Sequence, residues 1–240
     1  MTPYVFLNKI IRYSFLFVFF SILCLVIWGI DKGFDLTDEG YYILGYQKGQ
    51  EIGSDIRNFH IIIKTLLPWL NLDIINVRIL RLILVLSSSA ALAFALKKHI
   101  KSNTDFIVLY SVIAIGNLLS YGFGPQSLSY NTLTANFIIF SLSFMILGIA
   151  EPNKKITRKH IIYNMLTGTF LALTFFVKPP AGILAAICFL FYFLINYHAP
   201  VKIKAISLLL TISGSLAGFM FYFLMCQSFY AFYHSILLNI

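Results

Sequence analysis

The sequence predicts an all-α protein: a polytopic transmembrane helical bundle of about seven spans, with interfacial juxtamembrane helices in its first extracytoplasmic loop. Three observations carry that prediction. Hydrophobic residues make up 59% of the 240 residues and charged residues only 11%, against roughly 25% charged in an ordinary soluble domain. The apolar residues fall in charge-free runs close to the ~20 residues a helix needs to cross about 30 Å of hydrocarbon. Between the runs the cations alternate, so that the whole formal charge of +9 sits on one side, as the positive-inside rule requires. The runs leave little chain for a soluble unit, and 1–240 reads as one integral membrane domain.

Each element follows in order. Tyr13 to Ile30 is uncharged, follows Lys9 and Arg12, and is followed by Asp31 and Lys32. It is too long for a signal-peptide core and lacks a small-residue exit, so it reads as an uncleaved first helix. Residues 31–73 form the long outer loop. Within it Tyr41, Tyr42, Leu44 and Tyr46 follow a group of acids, and Ile52, Ile56, Phe59, Ile63 and Leu66 recur at helical spacing among Asp55, Arg57 and Lys64. That mixture suits helices lying at headgroup level. A second span covers 74–96, with Arg78 and Arg81 in its first turns. No charge separates Asp105 from Glu151, room for two spans, and GFGPQS at 122–127 supplies the break. A fifth span covers 161–177 and ends at KPP, 178–180; a sixth covers 181–197; a seventh covers about 205–226 within an uncharged stretch that runs to Ile240.

Charge and cysteine usage exclude several classes. With a cytoplasmic N-terminus, eleven cations and two acids fall inside, and seven cations and seven acids outside. The basic residues are spread over short loops and make no basic face with stacking aromatics, so nucleic acid is excluded as a partner. Cys24, Cys188 and Cys226 lie in apolar runs without metal-ligand or disulfide spacing. The histidines share no ligand spacing, and no metal site is assigned. A proton-coupled transporter places an ionisable residue inside a span, and no Asp or Glu occupies one here.

All seven outer acids lie in 31–73, and three crowd into GFDLTDEGYY at 33–42. Two readings stand. In one, Thr37 caps a short helix whose first turn holds Asp38 and Glu39, a dipole interaction worth roughly 0.3–1 kcal/mol. In the other, Asp38 is aimed into a cavity at the membrane surface, as a base or a metal ligand.

The motif's position, directly after a first span, resembles the GT-C superfamily of membrane glycosyltransferases, especially bacterial members related to protein mannosyltransferases and lipid A aminoarabinose transferases. The matching residues are DLTDEGYY at 35–42, NVRILRLILVL at 76–86, SYNTLT at 129–134 and LALTFFVKPPAGIL at 171–184, short motifs in a resemblance that covers nearly the whole chain. The resemblance implies an inverting transfer of sugar from a polyprenyl-phosphate donor to an extracytoplasmic acceptor at a bacterial inner membrane. Asp38 matches the principal acidic position and would be the general base, a role worth about 10²- to 10⁴-fold in rate. Glu39 would orient the acceptor or help bind a divalent cation, and Asp35 is a third candidate. No soluble cofactor is implied.

The leaving lipid phosphate calls for fixed cations. Lys178, at the outer end of the fifth span, is the first candidate; its bland alternative is a snorkelling lysine. Arg78 and Arg81 suit a phosphate through bidentate hydrogen bonds, or simply anchor the second helix. Tyr41, beside the acids, joins the substrate-binding set. The family usually has more spans than seven, so the chain is expected to be either a truncated product or a module completed by a membrane partner. A noncatalytic scaffold is the competing reading.

Overall fold

The computed structural model describes residues 3–33, 38–48, 59–97, 100, 102–122, 126–149, 156–195 and 200–237. Among the described residues there is no strand. The helices are α1 (Pro3–Gly29), α2 (Asp38–Lys48), α3 (Phe59–Leu66), α4 (Ile74–Leu96), α5 (Asn103–Leu118), α6 (Tyr130–Gly148), α7 (Arg158–Val177), α8 (Pro179–Ile195), α9 (Val201–Phe221) and α10 (Phe229–Leu237). A 3₁₀ turn, Leu119–Gly122, prolongs α5, and a π turn, Tyr222–Cys226, prolongs α9.

Among the described residues five segments are long and apolar enough to cross a membrane: Lys9–Gly29, Ile74–Leu96, Tyr130–Gly148, Arg158–Val177 and Val201–Cys226. The chain is therefore an all-helical integral membrane protein. Asp105–Tyr121 and Pro179–Ile195, two of the expected spans, are shorter apolar helices.

Local chemistry explains where the helices begin and end. Asp73 accepts the Asn76 N–H at 2.8 Å and caps α4; Ser129 accepts the Thr132 N–H at 3.2 Å and caps α6. Lys178 leaves the helical region, with φ −151° and ψ 90°, because Pro179 disfavours the α conformation in the residue before it. Prolines then fill the first two positions of α8, where their missing N–H groups cost no intrahelical bond.

In lipid there is little hydrophobic gain in pressing one apolar helix on another, so close packing and hydrogen bonds do that work. The contacts observed are of that kind. Between α4 and α6, the Ser88 hydroxyl donates to Asn136 Oδ1 at 2.5 Å; between α4 and α5, Asn117 Nδ2 donates to Ser89 Oγ at 2.8 Å. Ser141 Oγ donates to the Thr167 carbonyl at 2.9 Å, joining α6 to α7. Helices α7 and α9 run in parallel and touch backbone to backbone at Gly168 and Gly214. A β-carbon on Gly168 would fall 1.9 Å from the Thr211 oxygen, and one on Gly214 would fall 2.0 Å from the Met165 oxygen.

Helices α2 and α3 of the long loop seat over one end of the bundle. Tyr42, Tyr46 and Phe59 form a buried cluster there with Val77 at the start of α4, Leu133 at the start of α6, Phe176 and Val177 at the end of α7, and Tyr222 beyond α9. Phe176 and Tyr222 stack with ring centroids 3.7 Å apart. Glu39 and Tyr42 of the acidic motif are thus buried at this end.

Candidate functional site

The site is organised around one arginine. Arg78, in the first turns of α4, has five N–H donors and uses all of them. Nε and Nη2 donate to the two Glu39 oxygens at 3.2 and 2.6 Å, Nη1 to the Ile30 and Lys32 carbonyls at 2.8 and 3.0 Å, and Nη2 also to the Gly33 carbonyl at 2.7 Å. Gly33 has φ +65°, a left-handed conformation that glycine adopts without a β-carbon clash. That turn lets the carbonyls at the end of α1 converge on a single guanidinium.

Glu39 closes the arrangement from α2. Its Oε1 also accepts the Ser127 N–H at 2.6 Å, so this carboxylate and Arg78 tie together the end of α1, α2, α4 and the segment before α6. The side chains are 1% and 3% exposed. Burying both charges is costly, and only bidentate geometry with further hydrogen bonds offsets the cost; both conditions are met.

The other expected residues fall as follows. Asp38 is the first residue of α2, immediately before the anchored Glu39; its side chain, together with Asp35 and Thr37, lies outside the described residues. Arg81, one turn beyond Arg78, is buried. Its Nη2 donates to the Ser120 carbonyl at 3.0 Å and hydroxyl at 3.2 Å, and its guanidinium lies 3.9 Å from the Tyr121 ring centroid. Lys178 is half-buried: Nζ donates to Asn131 Oδ1 at 2.8 Å and sits 5.3 Å from the Tyr130 ring. Tyr41 is exposed, its ring 5.8 Å from that of Tyr42.

Glu39 and Arg78 are therefore brought together, and neither faces outward as expected for groups meeting substrate. Among the described residues Lys178 is linked to the acidic helix through aromatic rings, Tyr130 lying 6.1 Å from Tyr42. Among the described residues no three His, Cys, Asp or Glu side chains gather where a metal could sit. Beneath this surface the Tyr46 hydroxyl donates to the Leu128 carbonyl at 3.0 Å. Burial, and secondarily Tyr42, holds its phenol well above the ordinary tyrosine range.

Sequence reasoning missed Ser127, Tyr130 and Asn131 as parts of this end of the molecule. Ser127 stood in GFGPQS, read only as a break, while Tyr130 and Asn131 stood in SYNTLT. Their signal was weak: short polar runs beside a span, which also serve as caps.

The fold and site define a polytopic helical membrane protein in which α2 and the turn after α1 are tied to α4 by a buried arginine–glutamate pair. No family model, curated protein or solved structure matches the chain.

Proposed function

We propose that the chain crosses a bacterial plasma membrane seven times, N-terminus inside, and transfers a sugar from a polyprenyl-phosphate donor to an extracytoplasmic acceptor. Helix α5 with its 3₁₀ turn, and α8, supply the two shorter crossings. The observation that carries the reading is the Glu39–Arg78 pair. It fixes the first turn of α2, and with it the Asp38 backbone, at the bundle end that also holds Lys178. A base must be held within hydrogen-bond reach of the proton it takes, and such an anchor is one way to hold it.

In this reaction the acceptor oxygen attacks the anomeric carbon as the carbon–oxygen bond to the lipid phosphate breaks. The hydroxyl proton goes to Asp38, and the bonding electrons leave on the phosphate. Lys178 stabilises that developing charge. Arg78 acts as an anchor, since its five donors are spent inside the protein. Glu39 positions Asp38. Tyr41 and Arg81 complete the acceptor and donor surroundings.

A second reading has its own support. The internal satisfaction of Glu39 and Arg78 is also what a noncatalytic scaffold needs to hold its loop. Protein reconstituted in lipid, offered a panel of radiolabelled polyprenyl-phosphate sugars and crude membrane acceptors, separates the two. Asp38→Asn is expected to abolish most turnover while donor binding survives; Lys178→Ala is expected to raise the donor concentration required. Equal transfer by wild type and Asp38→Asn removes Asp38 as the base. Absence of transfer with every donor, even with other proteins of the membrane restored, selects the scaffold.

A further inference from the structure

Lys178, the residue assigned to the donor phosphate, is held on several sides. Its backbone is bonded into both flanking helices: the N–H donates to the Thr174 carbonyl of α7 at 2.9 Å, and the carbonyl accepts the Gly182 N–H of α8 at 3.0 Å. Its side chain crosses to α6, where Nζ donates to Asn131 Oδ1 at 2.8 Å. Tyr130 flanks the ammonium at 5.3 Å with a ring packed on those of Tyr42 and Phe59, 6.1 and 6.2 Å away. Asn131 is fixed in turn. Ser129 caps α6, its Oγ accepting the Thr132 N–H at 3.2 Å and its carbonyl the Leu133 N–H at 2.9 Å, which places Asn131 in the first helical turn.

The chemistry of this partner decides what the lysine can do. An ammonium has three donors and no acceptor; one amide oxygen takes a single donor and none of the charge. Among the described residues no carboxylate lies within ion-pair distance of Lys178, the described pairs being Arg12 with Asp105 and Arg78 with Glu39. The contact with Asn131 is exposed, so the remaining donors and the whole positive charge are open to an incoming anion. Arg78 is the contrast, its donors spent and its charge matched by Glu39 inside the protein.

Stability alone favours a different residue at 131. A carboxylate in the first turn of a helix gains from the helix dipole, and here it would also pair with Lys178 through a charge-assisted bond. Asparagine forgoes both gains and keeps the hydrogen bond. What it preserves is the uncompensated charge of the lysine. It also holds the flexible four-carbon stem in place before an anion arrives, which lowers the ordering cost of binding.

We infer that Asn131 is a positioning residue for the donor: it holds the Lys178 ammonium, charge intact, for the phosphate of the polyprenyl-phosphate lipid. The identity of that anion rests on the sugar transfer proposed above.

The test reads binding apart from transfer. The whole protein in lipid nanodiscs is titrated with radiolabelled undecaprenyl phosphate, with undecaprenol as the uncharged control, and the melting temperature of each variant is recorded. Wild type is expected to hold the phosphate at least ~tenfold more tightly than the alcohol. Asn131→Leu, which releases the ammonium, is expected to weaken phosphate binding about three- to tenfold, the worth of one hydrogen bond. It should leave undecaprenol binding unchanged and add nothing in a Lys178→Ala background. Asn131→Asp is expected to weaken phosphate binding by on the order of tenfold while melting at or above wild type, a combination that a merely structural tie between α6 and α7 does not produce. In the transfer assay both variants should raise the donor concentration required. Phosphate binding by Asn131→Asp as tight as that of wild type overturns the inference, as do losses that add in the Asn131→Leu/Lys178→Ala double variant. Equal binding of undecaprenyl phosphate and undecaprenol by wild type overturns it as well. If the binding pattern holds and no donor is turned over, the sugar transfer falls and the phosphate contact held by Asn131 stands.

Discussion

Arg78 and Glu39, 39 positions apart in sequence, meet at 2.6 Å with almost no exposure to solvent. Removing one member leaves the other charge buried, which costs about 3–5 kcal/mol. With roughly 2–4 °C lost per kcal/mol in a chain of this size, Glu39→Gln should lower the apparent melting temperature in detergent by on the order of 10 °C. The double variant Glu39→Gln/Arg78→Met, which removes both charges, should recover part of that loss. Near-wild-type melting of Glu39→Gln alone would contradict the buried pair.

The spans were legible because their signal is local. The predicted second helix, 74–96, matches α4 residue for residue, since an apolar run flanked by polar ends needs no tertiary information. The helical character of the loop around Tyr41–Tyr46 and Phe59–Leu66 was legible for the same reason. The crossing count is harder. At 1.5 Å per residue, α8 with its 17 residues reaches about 26 Å, short of ~30 Å of hydrocarbon, so composition alone leaves it between span and core helix. The roles of Glu39 and Arg78 were not legible. Sequence placed each at the membrane surface, where both an ion pair and a substrate contact are chemically reasonable, and only the folded chain shows all five Arg78 donors spent on the turn after α1 and on Glu39 of α2. Gly168 and Gly214 carried no signal either, because a close backbone approach is a property of two helices together.

Orientation rests on the distribution of cations and can be read by labelling. In a background without Cys24, Cys188 and Cys226, a cysteine at Trp69, which is 77% exposed, should react with an impermeant thiol reagent in intact cells. One at Ser102, exposed before α5, should react only after the cells are opened. The reverse pattern inverts the topology and removes the acidic turn from the outer face.

Tyr46 makes stability depend on alkaline pH in a defined direction. Its folded pKa is raised above the unfolded value of about 10, so the native state holds its proton where the unfolded state releases it. Below about pH 10 the stabilising hydrogen bond to Leu128 is fully present; as pH rises above that, stability falls. Tyr46→Phe loses the hydrogen bond, about 1 kcal/mol, but has no phenol to ionise. Its disadvantage against wild type should therefore shrink between about pH 9 and 11, as read from denaturation midpoints. A gap that stays constant over this range rules out a phenol buried as described.

The contact between α7 and α9 makes the steepest prediction. A β-carbon on Gly168 meets the Thr211 oxygen at 1.9 Å and the Ser215 nitrogen at 2.5 Å, and one on Gly214 meets the Met165 oxygen at 2.0 Å. Each obstacle is backbone, which cannot turn aside as a side-chain end can, so the two helices must separate. Separation also breaks the bonds that reinforce the contact, Thr169 Oγ1 to the Gly214 carbonyl at 3.1 Å and Ser215 Oγ to the Gly168 carbonyl at 3.2 Å. Gly168→Ala and Gly214→Ala should each destabilise the solubilised protein by more than about 2 kcal/mol, in the range of severe packing defects. Gly116→Ala, with open space around it, should be neutral or stabilising by up to about 1 kcal/mol through helix propensity. If all three variants melt together, α7 and α9 do not touch at these glycines, and the parallel pairing at the centre of the bundle is wrong.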